Sequence, residues 1–143
     1  MPGSGTGTVT IRITQLDDLE DARELHALAF PEDLWPGDDH TYWVARDGKT
    51  LLGMASAVHR PDEKYVYLSR CAVVQSAQGR GVGRRLIRAR VKWAVAEGAA
   101  EAITYVSLKN YPSLLNLLKC GFQLYEPDEP YVGQNWHYLR KSL

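Results

Sequence analysis

Apolar and polar residues recur along this chain with two periods, and the change from one to the other marks its elements. Val9, Ile11 and Ile13 share one side of a two-residue alternation, which predicts a first strand over Val9 to Thr14. Asp17, with Glu20 three residues on, has the form of a capping box that opens a helix with Leu19, Ala22 and Leu25 inward, ending near Phe30 and Pro31. The acidic, proline-containing connection Pro31 to Asp39 has room for one further helical turn. Thr41 to Ala45, Thr50 to Val58 and Tyr65 to Val74 then read as three antiparallel strands, turning at Asp47-Gly48 and at Pro61-Asp62-Glu63.

From Arg80 to Glu97 the spacing becomes helical. Val82, Leu86, Ala89, Trp93 and Ala96 form the apolar stripe, Arg84, Arg88 and Lys92 share another face, and Gly98 ends the helix. Ala102 to Leu108 reads as a strand, Tyr111 to Cys120 as a helix stopped by Gly121, and Phe122 to Tyr125 as a short strand. In the final strand, Gln134 to Arg140, Trp136 and Tyr138 alternate with His137 and Leu139. A right-handed crossover from Val74 to Ala102 makes those two strands parallel in a sheet otherwise built from hairpins. The expected fold is therefore single-domain α/β: a mixed, mostly antiparallel sheet of about seven strands with helices on both faces. Residues 1–8, rich in Gly, Ser and Thr, are expected to be a flexible segment, and 9–143 one domain without a repeat or linker.

Composition narrows the partners. With 143 residues, 45% of them hydrophobic, the chain can bury one ordinary core. Its 17 basic and 17 acidic residues cancel, so general attraction to nucleic acid or to an anionic membrane is not expected. No apolar run approaches the roughly 20 residues of a membrane span, and Met1 to Val9 lacks the basic start and apolar middle of a signal peptide. A cytoplasmic location is expected. Cys71 and Cys120 have no zinc-site spacing and read as two buried free thiols; His26, His40 and His59 are scattered, so no metal is expected.

The chemistry concentrates where the strand ending in Val73-Val74 meets the helix, at Gln75-Ser76-Ala77-Gln78-Gly79-Arg80-Gly81-Val82-Gly83-Arg84. A helix start offers unpartnered N–H groups and the positive end of a dipole, and glycines let a pyrophosphate approach them. Arg80, Arg84, Arg85, Arg88, Arg90 and Lys92 follow with no acid among them and read as a cationic face. A Walker loop is excluded because Gly83 is followed by Arg84-Arg85, and a dinucleotide fingerprint because Arg84 stands where its third glycine belongs.

Gln78, Gly81 and Gly83 fill the pattern Gln/Arg-x-x-Gly-x-Gly/Ala, and Asn110, Ser113, Gly121 and Phe122 follow Asn-x-x-Ala with a later Gly-Phe. In these two motifs and their order the chain resembles the GNAT superfamily of N-acetyltransferases, over roughly Val9 to Arg140. The resemblance implies acetyl-CoA as acyl donor, its pyrophosphate on Gln78, Gly79, Arg80, Gly81, Val82, Gly83 and Arg84. It also implies that the central parallel strands splay apart, with the pantetheine arm held by the backbone of Ala72, Val73 and Val74 on one side and by Asn110, with Ser113, on the other.

Acetyl transfer to an amine needs a neutral nucleophile, donors for the oxyanion and a proton for the departing thiolate. Backbone N–H groups between Leu68 and Val74 can supply the donors. Many members of the resembled family carry a tyrosine seven residues after the signature asparagine; here that position is Leu117. Tyr105, Tyr111 and Tyr67 are the substitutes by position, and His137 is a candidate to deprotonate the amine through water. Glu32, Asp33, Asp38 and Asp39 are candidates to attract a cationic amine, and Trp35, Tyr42, Trp43, Tyr65, Tyr67, Tyr131 and Trp136 are divided between core and an acceptor pocket. The leading reading is an acetyl-CoA-dependent N-acetyltransferase working by direct attack in a ternary complex on an amine of a small molecule or peptide. The rivals are a non-catalytic acyl-CoA sensor and a nucleic-acid-directed acyltransferase. Oligomeric state stays open between monomer and homodimer.

Overall fold

Strand pairing follows from which side of each strand is apolar. The structure, a computed structural model, describes residues 10–143, so the expectation for residues 1–8 and Val9 lies outside the described residues. In chain order the elements are β1 (Ile11–Gln15), α1 (Leu19–Ala29), β2 (Thr41–Asp47), β3 (Thr50–Val58), β4 (Tyr65–Val73), a 3-10 turn at Gln75–Ala77, α2 (Val82–Ala96), β5 (Glu101–Ser107), α3 (Tyr111–Lys119), β6 (Gln123–Tyr125) and β7 (Trp136–Ser142). The strands form one seven-stranded sheet in the order β1-β2-β3-β4-β5-β7-β6. Among the described residues only β4 and β5 are parallel neighbours, joined by the α2 crossover.

Both faces of the sheet are covered. On one, Ala22 and Leu25 of α1 pack with Tyr42, Val44 and Met54. On the other, Val82, Leu86, Ile87 and Ala94 of α2 and Leu117 of α3 pack against Ala55, Ala57, Val66, Leu68, Ala102 and Leu139. Trp43 enters this second core, its ring 5.4 Å from that of Trp93 and nearly perpendicular to it.

Several boundaries differ from the sequence expectation for local reasons. The cap of α1 is Asp18, not Asp17: it is extended, and its Oδ1 accepts the Glu20 N–H at 2.8 Å. The buried stripe of α1 is Ala22, Leu25 and His26, whereas Leu19 is 38% exposed. Pro31 to Asp39 holds no helical turn, since Pro36 restricts Trp35 and Gly37 has φ 140°. Helix α2 starts at Val82, because Gly81 is left-handed with φ 79°. Ala96, expected inward, is exposed.

Arg90 is the largest departure. Its place in the basic run after the glycine turn groups it with the cationic face, yet it is 3% exposed. Its Nε donates to Leu86 O at 3.2 Å and its Nη1 to Ser56 O at 3.2 Å and to Arg70 O at 3.4 Å. Burial holds its pKa below the usual guanidinium range. The side chain has become an internal strut between α2 and the middle of the sheet.

Candidate active site

That strut meets the sheet where β4 is irregular. Ala57 pairs with Leu68 but Ala55 pairs with Cys71, so Ser69 and Arg70 together oppose the single residue Ser56. This is a β-bulge, which bends the strand and interrupts its ladder. Ser56 Oγ replaces a ladder acceptor by taking the Arg70 N–H at 3.0 Å, and it lies 2.6 Å from Ser69 Oγ. Strands β4 and β5 pair only over Tyr65–Tyr67 and Glu101–Ile103. Thr104 Oγ1, donating to Leu68 O at 2.9 Å, makes one more link, and then they part.

Past the bulge, Val74 N–H donates to Leu52 O at 2.9 Å and Ala72 stands opposite Met54. Main-chain groups alternate sides along a strand, so those of Ala72 and Val74 face β3 while those of Cys71 and Val73 face the gap vacated by β5. Of the expected Ala72, Val73 and Val74, the register turns the main-chain groups of Val73, with those of Cys71, toward the gap and those of Ala72 and Val74 toward β3. The same splay explains why the Cys71 thiol is exposed rather than buried. Cys120 is half-buried, its Sγ 3.9 Å from Arg84 O, and burial raises its pKa.

The chain then runs through Gln75–Ala77 into the glycine turn. Gln78 N–H returns to Gln75 O, Arg80 N–H to Ala77 O and Arg85 N–H to Gly81 O. The N–H groups of Gly79, Gly81, Val82, Gly83 and Arg84 have no partner among the described residues. Gly81 caps α2 without a side-chain bond, so the dipole end stays open to an anion. Val82 is 1% exposed and belongs to the core. A Cβ on Gly83 would lie 2.9 Å from Asn116 Nδ2, so a larger residue here must turn the Asn116 amide aside where α2 meets α3. Gln78 and Arg80 are exposed, Arg84 half-exposed, and Arg80 reaches Asp47 at 3.5 Å.

Across the gap, Asn110 caps α3, its Oδ1 accepting the Ser113 N–H at 3.3 Å. Leu117 is 5% exposed within the core. Tyr111 is 62% exposed and forms no aromatic pair among the described residues. Tyr67 and Tyr105, in contrast, stack with centroids 5.9 Å apart. They belong to a cavity of about 430 Å³ lined also by Arg60, Tyr65, Ile103, Tyr131 and Val132. Trp136 abuts Tyr105 edge-on at 5.1 Å, and Tyr138 anchors the loop above by donating to Gly133 O at 2.6 Å and accepting the Val132 N–H at 3.0 Å. Burial raises the pKa of both Tyr67 and Tyr131, so at neutral pH they are neutral phenols, unsuited to act as bases and weaker acids than an exposed tyrosine.

Residues 11–122 match the profile of the acetyltransferase (GNAT) family. The chain belongs to this family. Among solved structures it is similar to an IAA acetyltransferase from Bacillus cereus (20% identity, TM-score 0.73, covering 94% of this chain and 100% of that one). A Bacillus subtilis acetyltransferase in complex with CoA is similar at 21% identity and TM-score 0.72, covering 94% and 99%. The ribosomal-protein-S18-alanine N-acetyltransferase of Escherichia coli is similar at 15% identity and TM-score 0.72, covering 93% and 94%. No curated protein matches the chain. At these identities the structures establish the GNAT fold.

The remaining polar candidates of this GNAT domain fall into place around the sheet. Asp38 is held by Arg23 Nη2 at 2.6 and 2.8 Å and by Trp35 Nε1 at 2.9 Å, and Asp39 lies 3.6 Å from Arg60. Glu32 and Asp33 are exposed and form no ion pair among the described residues. Trp35 stacks on Tyr42, whose hydroxyl donates to Gly37 O and whose pKa burial pushes up to about 12; with Trp43 they are packing residues. His137 alternates with Tyr138 and so faces away from the tyrosine cavity. His40 carried no sequence signal, yet it is 8% exposed with Nδ1 2.9 Å from Ser69 Oγ, at the bulge. Burial lowers its pKa, keeping the ring neutral. Among the described residues no group of three or more His, Cys, Asp or Glu is gathered, and no helix is long and apolar enough to cross a membrane.

Proposed function

We propose that this GNAT acetyltransferase moves the acetyl group of acetyl-CoA to a primary amine by direct attack in a ternary complex. The observation that carries the reading is one continuous main-chain edge: the gap-facing groups of Cys71 and Val73 lead directly to the unpartnered N–H groups between Gly79 and Arg84. An amide-bearing arm would satisfy the strand edge, and a diphosphate the helix start. The amine nitrogen attacks the thioester carbonyl, a gap-facing N–H of β4 steadies the oxyanion, and the C–S bond breaks. The amine loses a proton and the thiolate gains one; Tyr105 and Tyr67 are the proposed donors, with the exposed Tyr111 third. Most of the acceleration in this scheme is positional.

Calorimetry with CoA, followed by mass spectrometry of an amine panel incubated with acetyl-CoA, tests the proposal. Saturable CoA binding and an amine heavier by one acetyl group are expected. Binding without turnover of acetyl-CoA on any amine would favour the sensor reading, for which the apolar Leu117 is the supporting observation.

A further inference from the structure

The cavity beside the bulge has a chemical character that the acetyltransferase reading does not specify. Its floor is the paired stretch of β4 and β5, where Tyr65, Tyr67, Ile103 and Tyr105 share one face, and Tyr131 closes it from the loop before β7. Tyr65 lies two positions along β4 from Tyr67, which is next to the splay, so the floor extends about 7 Å away from the point where a thioester in the gap would lie. Among the described residues Arg60 is the one charged residue of the lining, and the carboxylate of Glu63 stands at its edge beside the Tyr65 hydroxyl. Arg60 is only loosely engaged, 3.6 Å from Asp39, with half of its side chain exposed. Two of the four acids in the connection before β2 are already turned toward arginines, Asp38 to Arg23 and Asp39 to Arg60.

We infer that the cavity is the acceptor site and that it selects an amine with a planar, apolar body and an anionic group, held by Arg60, in preference to polycationic amines. The inference rests on the acetyltransferase reading. Tyrosine faces favour a planar body, and a guanidinium at the mouth offers paired donors to a carboxylate while repelling ammonium groups. A polycation would need several carboxylates to replace its lost hydration, and the two at the edge are already engaged, Glu63 by the Tyr65 hydroxyl and Asp39 by Arg60. With its carboxylate on Arg60, such an acceptor places its amine toward Tyr67 and Ser69, where the strands begin to part.

The test uses the full chain and three acceptors: 4-(aminomethyl)benzoate, whose amine and carboxylate stand at opposite ends of the ring, its methyl ester, and spermidine, with CoA release and acetylated product measured together. The benzoate is expected to exceed its ester in kcat/KM by at least about tenfold, with spermidine the poorest. Arg60→Leu should bring the benzoate and the ester level, and Arg60→Glu should reverse their order, both with unchanged affinity for CoA. Efficient acetylation of spermidine, or a preference for the benzoate that survives Arg60→Leu, overturns the inference and leaves the transferase reading standing. Failure of the folded protein to bind CoA overturns both.

Discussion

The edge that leads from Cys71 to Arg84 and the tyrosine cavity beside it lie on the same strand, yet they are made of different material. The first is main chain: strand groups without a partner, a left-handed glycine and an uncapped helix start, contiguous in sequence. The second is side chains drawn from the β3–β4 connection, two strands and the β6–β7 connection. A site made of backbone depends on a few positions that must lack a Cβ or a partner, and it tolerates change in most side chains around it. A site made of side chains can be respecified one residue at a time without touching the fold. The bulge at Ser69-Arg70 is where the two meet, since it opens the gap on one side and ends the cavity floor on the other.

Substitutions that act on one region and spare the other sharpen this contrast. Gly81→Glu should have the largest effect: a carboxylate at the uncapped helix start repels a diphosphate, and CoA affinity should fall by at least roughly a hundredfold, ~2.7 kcal/mol. The left-handed φ of 79° adds a stability cost of about 1 kcal/mol. Calorimetry on protein shown to be folded by circular dichroism reads both, and unchanged affinity would remove the diphosphate from this turn. Gly83→Val comes next, because its side chain must displace Asn116; a loss of about 2 kcal/mol in urea unfolding is expected, relieved in part by Asn116→Ala.

Acidification is the third test. His26 and His40 are buried and their pKa values are lowered by that burial, so between the folded and unfolded pKa the unfolded chain binds more protons. Stability is therefore undiminished above about pH 6.5, the unfolded value, and falls as pH drops below it, by at most about 1.4 kcal/mol per histidine at pH 5.5. Urea midpoints at pH 7.5 and 5.5 check this, and His40→Asn should shrink the difference. Asp39 opposes the shift in His40 while Arg60 and Arg70 support it. Arg60→Leu is expected to do least to the fold: its exposed pairing with Asp39 contributes under about 0.5 kcal/mol, so the melting temperature should hold while acceptor preference changes.

What could be read in advance follows the same division. Glycines at Gly79 and Gly81 announce a turn because the backbone there needs positive φ, and the helical and strand periods locate each described strand and α-helix to within a few residues, though not the 3-10 turn at Gln75–Ala77. Arg90 reads as surface in the sequence because periodicity places it on a helix side without saying that the carbonyls of Ser56 and Arg70 at the bulge lie opposite. His40 carried no signal, since its partner Ser69 is 29 residues away and meets it only once β4 bulges. Cys71 looked buried because alternation assumes a strand paired on both sides. Among the aromatics, Trp35, Tyr42 and Trp43 could not be separated from Tyr65, Tyr67 and Tyr131 by composition; only the covering by α1 and α2 distinguishes packing from lining.

The amino-acid order alone determined the succession of strands and helices, the parallel crossover and the glycine turn, because these depend on local backbone preference and on the period of apolar residues. Tertiary structure decided the bulge, the parting of β4 from β5, the burial of Arg90 and the gathering of Arg60 with four tyrosines. Those features arise from contacts between residues far apart in the chain, whose mutual distance no local preference encodes.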